Sequence, residues 1–178
     1  MKEPIALAAL KALTTHLEGI KPTNGYDFDL QGKVFRGRVR FGREEPLPML
    51  SILEAPRPED GLLLPVAAEN SRRSVREWGL LIQGWAVDDL GHPTDQAYYL
   101  MAAVEQRLSD LVAVRTSGQP VDTVAYLLGR TAAGKPRISG AMIGPGLVRP
   151  PQEGISDTAF FYLPISLQRT VDPANPYE

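Results

Sequence analysis

Gly129-Arg130-Thr131-Ala132-Ala133-Gly134-Lys135-Pro136 has the spacing of a phosphate-binding loop up to its last position. There a Ser or Thr would ligate Mg²⁺ through its hydroxyl and stand in the first turn of a helix. Pro136 has no hydroxyl, and Arg137-Ile138-Ser139-Gly140 shows no helical period. The segment is therefore expected to be a turn. Ser139 lacks the Gly-x-Ser-x-Gly frame of a nucleophile elbow. His16 and His92 are the two histidines, and neither belongs to a partner pattern for catalysis or metal binding. The lack of cysteine excludes disulfides, thiol nucleophiles and cysteine zinc sites together. No catalytic residue, cofactor site, metal site or small-molecule substrate is expected. The chain reads as a protein-binding domain and not as an enzyme.

Four carboxylate pairs, Asp27/Asp29, Glu44/Glu45, Glu59/Asp60 and Asp88/Asp89, sit at or beside turn signals. Asp27 and Asp29 would share a face of an extended segment, as acid–base or metal chemistry needs. Local hydrogen bonding in turns is the simpler expectation for all four. The most specific charged feature is Arg36/Arg38/Arg40, whose alternate positions put three guanidinium groups on one face of a strand. Three readings stand. The stripe is the solvent face of an edge strand that deters unwanted pairing; or it faces acidic patches such as Glu44/Glu45 or Glu59/Asp60 of another subunit; or it contacts nucleic-acid backbone. Arg72, Arg73 and Arg76 form a second basic cluster with the same three readings. Fourteen of the 19 basic residues are Arg, a residue enriched at protein interfaces, while the net charge of −2 argues against a general nucleic-acid binder. Trp85 is expected in the core, and of the adjacent Tyr98 and Tyr99 one is expected at the surface or in a contact.

The elements that must position these residues follow from periodicity. Leu10, Leu13, Leu17 and Ile20 recur at helical spacing after Pro4, which suits the first helical position. Lys33 to Phe41 alternates as a strand with Phe35, Val39 and Phe41 opposite the Arg stripe. Gly42 to Pro48 reads as a turn, and Met49 to Leu53 as a short buried strand. Ala55 to Asn70 is a loop with an apolar island at Leu62 to Val66. Trp78 to Val87 is apolar on both faces, as in a central strand. Thr94 to Ala113 is a second helix lined by Ala97, Leu100, Met101, Val104, Leu108 and Leu111. Thr123 to Leu128 is ambiguous between strand and helix, and Ile138 to Val148 suits a hairpin. Arg149 to Gly154 reads as an extended loop, and Thr158 to Arg169 is a last strand. Residues 171–178 form a Pro-rich C-terminal arm.

At 178 residues and 43% hydrophobic, the chain fits a single domain spanning 1–178. The order helix, strands, helix, strands predicts an α+β fold, a mixed, largely antiparallel sheet flanked by two main helices, with long loops. No apolar stretch is long enough for a membrane span, and the start lacks the basic-then-apolar order of a signal peptide. The chain is expected in the cytoplasm when made.

The leading helix, Gly37-Arg38-Val39 and Pro48-Met49-Leu50-Ser51-Ile52-Leu53-Glu54 resemble the front half of tailed-phage tail terminator proteins, the tail-completion or head–tail joining family. Leu81-Ile82-Gln83-Gly84-Trp85-Ala86-Val87-Asp88 is similar to their central strand. Pro93-Thr94-Asp95-Gln96-Ala97-Tyr98-Tyr99-Leu100 is similar to the start of their second helix, and Phe160-Phe161-Tyr162-Leu163-Pro164 to their closing strand. The resemblance covers most of the chain and rests on pattern and order, with no single diagnostic motif. It implies a structural virion protein that forms a hexameric ring at the head-proximal end of the tail, stops tube growth and offers a joining surface to the neck. Partners would be copies of itself, the tail tube protein and a head-completion or neck protein, with passing contact to DNA in the ring lumen. The place would be the virion tail or neck, and the host cytoplasm during assembly. The segment from Gly118 to Gly154 exceeds a minimal member of that family. Another neck component, such as a head-closure or connector protein, and a nucleic-acid-binding module using Arg36, Arg38 and Arg40 are the alternatives.

Overall fold

A computed structural model describes residues 2–39, 45–54, 74–87, 91–111, 128–131, 134, 136–153, 156–171, 174 and 176–177. The loop 55–70, the acidic pair 88–89 and nearly all of 123–128 lie outside the described residues.

The first helix, α1, spans Ile5–Leu17. Its Ala and Leu content favours helix. Pro4 stands one position outside the expected one, as the N-cap in extended conformation (φ −63°, ψ 137°). The helix stops where Glu18 and Gly19 turn back on the carbonyls of Thr14 and His16. Ile20 therefore lies beyond the helix, yet it is buried with Leu13 and Leu17. A 3₁₀ turn at Pro22–Asn24 ends on Gly25, whose φ of 83° suits a residue without a Cβ.

Six strands follow among the described residues: β1 Val34–Arg36, β2 Met49–Glu54, β3 Ser74–Trp85, β4 Ile138–Ile143, β5 Leu147–Arg149 and β6 Phe160–Val171. The second helix, α2, spans Asp95–Ser109 between β3 and β4. The sheet order is β1-β2-β3-β6-β4, with β5 also on β6. β1 pairs parallel with β2 and every other pairing is antiparallel. The fold is α+β with a mixed, largely antiparallel sheet, as the element order predicts.

Register separates the two faces. Leu50, Ile52, Leu80, Ile82, Leu163, Ile165 and Leu167 fall on one face and pack with Leu13 and Leu17 of α1 and with Leu100, Val104 and Leu108 of α2. Gly84 belongs to this face because Phe161 needs its space. A methyl group there would run into the Phe161 ring and stand 2.8 Å from Leu50 Cδ2. The other face carries a smaller cluster of Met49, Trp85 and Phe160, with Phe35, Leu47 and Tyr162 against it. Trp85 is a core residue, as expected.

Two local readings are corrected. The strand expected over 33–41 ends at Arg36, because Gly37 takes a φ of 67° and leaves the extended region. Val39, expected on the apolar face, is 66% exposed. The hairpin expected over 138–148 is absent: β4 and β5 both pair with β6 and follow each other along the same side of it. Gly144, Pro145 and Gly146 form the break between them. Gly146 lies against Met101 of α2, so a side chain at that position would displace the helix contact. No helix among the described residues is long and apolar enough to cross a membrane.

Candidate interaction surface

The Arg stripe does not persist in three dimensions. Arg36 shares the face of buried Val34 and reaches back to α1, where its Nη1 donates to Thr14 Oγ1 at 2.9 Å. Thr14 in turn donates to the Leu10 carbonyl, so the guanidinium is tied to a helix hydroxyl that is itself anchored. Arg38 follows Gly37 and departs in another direction. Its carbonyl accepts a 2.7 Å bond from Ser51 Oγ, which points to the face opposite Leu50 and Ile52. The chain after β1 thus crosses onto the face opposite the two described helices. Arg38 is held there by an ion pair to Glu45 and lies over the Phe35 ring, 4.7 Å from its centroid.

An alternating charge pattern would be a stripe only if the backbone stayed extended, and Gly37 prevents that. Arg38 and Glu45, both expected at an interface, meet inside one subunit. Arg40, Glu44, Glu59, Asp60, Arg72 and Arg73 lie outside the described residues. Arg76 is in β3 opposite Arg169 by register. The structure therefore brings together one pair of the predicted set and separates Arg36 from it.

The near-miss phosphate loop is a turn, as expected. Arg130 pairs with Pro136 across it, the Gly134 N–H donates to the Thr131 carbonyl at 2.8 Å, and the Arg137 N–H to Gly129 at 3.0 Å. Gly129 and Gly134 both take positive φ, at 88° and 74°. Asp29 accepts from the Gln31 N–H at 3.0 Å, local turn bonding of the kind expected for the carboxylate pairs.

Sequence patterning misses a clasp between the helices. His16 Nε2 donates to the Arg107 carbonyl at 2.7 Å, and Arg107 Nε donates to the His16 carbonyl at 2.9 Å. A carbonyl only accepts, so Nε2 carries the proton. Burial lowers the His16 pKa below 6.5, with the Arg107 charge adding to the fall and its backbone bond and Asp110 opposing it. Gly19 leaves room for the Arg107 guanidinium, since a Cβ there would stand 2.6 Å from Nη2. Nothing in the i, i+3, i+4 pattern links positions 91 residues apart, although a His in the last turn of an Ala-rich helix is a faint signal.

On the sheet face opposite the two described helices, exposure is partial. Across it run Leu53, Leu81 and Pro164, paired in register and half-buried, and next to them half-buried Tyr162 beside buried Ser51 and Gln83. Met142 and Leu147 extend this face toward the sheet end and are 62% and 49% exposed. Tyr98 and Tyr99 are both exposed on α2, where one was expected. The C-terminal arm returns to its own N-terminus: the Ile5 N–H donates to the Pro176 carbonyl at 3.0 Å, and Tyr177 pairs with Pro4. This bond satisfies one of the helix-start donors that no side chain caps. Comparison of the chain with protein-family models and with curated proteins finds no match.

Proposed function

We propose that this chain is a structural virion protein of the tail-terminator kind, which assembles into a ring, of six copies by that resemblance, at the head-proximal end of a phage tail. It ends tube growth there and presents a joining surface to the neck, acting by binding and without catalysis. The observation that carries the reading is the two-sidedness of the sheet. Both helices pack on one face, and the other face leaves Leu53, Leu81, Pro164, Met142 and Leu147 accessible in a row that ends at a sheet edge. A ring needs a head-to-tail contact between two unlike surfaces. A sheet with one face packed on the described helices and another that mixes half-buried apolar side chains with polar ones supplies unlike surfaces. The order of elements matching the resemblance, from the leading helix to the closing strand, is the second support.

Light scattering with negative-stain images tests it. A closed ring with a central hole is the expected result. A chain that stays monomeric at high concentration and also does not bind the ends of purified tails would sink the reading. Charge reversal Arg38→Glu asks about the predicted stripe. Because Arg38 is paired with Glu45 in its own subunit, ring formation and tail joining are expected to survive it. The nucleic-acid alternative predicts salt-dependent binding of duplex DNA by the isolated chain. The engagement of Arg36 with Thr14 and of Arg38 with Glu45 leaves that alternative with less of its motivating feature.

A further inference from the structure

Asp95, Tyr99, Ala102 and Gln106 recur along α2 at spacings of four, three and four, and all are exposed. They line the side of the helix turned away from buried Ala97, Leu100, Val104 and Leu108. Tyr98 is exposed beside Tyr99, and large exposed aromatic rings are the usual anchors of protein contacts. A second exposed patch lies at β5, on the opposite face of the sheet. Leu147 and Arg149 stand in register with Tyr162 and Phe160 of the cluster on that face, whereas Val148 between them packs against the main core. Leu147 and Arg149 are both exposed. Among the described residues neither Asp95 nor Arg149 has an ion pair.

We propose that α2 of one copy of this chain docks by its first turns on β5 of the next copy, with Tyr99 against Leu147 and the Asp95 carboxylate on the Arg149 guanidinium. The choice of a second copy rests on the ring reading above and on the match between the two patches. Each offers one apolar and one charged side chain, and the charges are opposite. Residues four apart on a helix stand about 6 Å apart at Cβ. Residues two apart on a strand stand about 7 Å apart, so both contacts form at once. Within one chain the patches are out of reach of each other. There α2 packs on the face of Val148, where Gly146 lies against Met101, and Leu147 and Arg149 point to the other face. The contact therefore joins unlike surfaces of successive copies, as a head-to-tail ring needs. Tyr99 supplies buried area, and the ion pair fixes register.

Charge reversal on each side gives the test. Asp95→Arg alone and Arg149→Asp alone each set like charges against each other, and each should weaken self-association in sedimentation by about tenfold or more. Mixing the two variants should restore association, because every contact of an alternating assembly then joins opposite charges. Tyr99→Ala should weaken association by about thirtyfold. All three positions are exposed, so unfolding curves matching the unaltered protein check that the variants fold. A role of Asp95 confined to the start of α2, where an acid favours the helix, predicts no rescue on mixing. Variants that associate as the unaltered protein does, a mixture that stays dissociated, or an unaltered protein that does not self-associate overturn the proposal. Imaging reads the ring separately. A ring that persists in each variant alone removes this contact and keeps the ring, whereas a rescued assembly that is an open filament keeps the contact and removes the ring.

Discussion

The two faces of the sheet are made of the same strands but differ in what covers them. Toward the helices, Leu80, Ile82, Phe161 and Leu163 have essentially no exposed surface, and α1 and α2 supply a second layer of Leu, Val and Ala. Away from them, the compact part is the small cluster of Met49, Trp85 and Phe160, and Leu81, their neighbour along β3, is only half-buried. Hydrophobic stabilisation scales with the apolar area removed from water. The face that packs on α1 and α2 buries the larger apolar cluster among the described residues, so it is expected to contribute the larger share of the hydrophobic stabilisation.

Substitutions on the two faces sharpen that contrast. Leu163→Ala, in the helical face, is expected to cost about 2–5 kcal/mol in denaturant unfolding, whereas Leu81→Ala should cost about 1 kcal/mol, in keeping with its partial burial. Equal losses would show that the faces contribute alike and would break the comparison. Gly84→Ala puts a methyl group against Phe161 on the helical face and should cost about 1–3 kcal/mol; a neutral result would mean that the ring has room to move.

The helix clasp gives a pH signature confined to the helical side. The folded His16 pKa is lowered, so below the ordinary value of 6.5 the unfolded chain binds the proton more readily than the folded one. Stability is complete above pH 6.5 and declines as pH falls from 6.5 toward the lowered folded value. His16→Gln keeps a donor for the Arg107 carbonyl and should flatten that part of a melting-temperature profile. A slope that persists in the variant would assign it to another group. The smallest effect is expected at Arg38→Ala on the open side, about 0–1 kcal/mol, since Arg38 and Glu45 are both partly solvated.

Much of the fold is legible in the residues, and the reasons are local. α1 and α2 are read from Leu10, Leu13 and Leu17 and from Leu100, Val104 and Leu108, because a helix shows its buried face every three or four positions. β3 is read as central because Leu80 and Ile82 alternate with Leu81 and Trp85, all apolar. The candidate site is read less well. Arg36, Arg38 and Arg40 alternate as a strand would, but one glycine between them takes positive φ and the pattern loses its geometric meaning. Ile138 to Val148 has a hairpin's Gly and Pro content, yet both of its halves find β6, a partner that local turn chemistry does not specify.

The sequence alone determined the helices, the central strand β3, the α+β class and the turn in place of a phosphate loop, because each depends on periodicity or on a missing hydroxyl within a short window. Tertiary structure alone decided that Arg38 pairs with Glu45 in its own chain, that His16 and Arg107 clasp across 91 positions, and that β4 and β5 both lie along β6. Those outcomes depend on which distant segments pack together. The free energy that selects the packing comes from the whole core and not from any window of the chain.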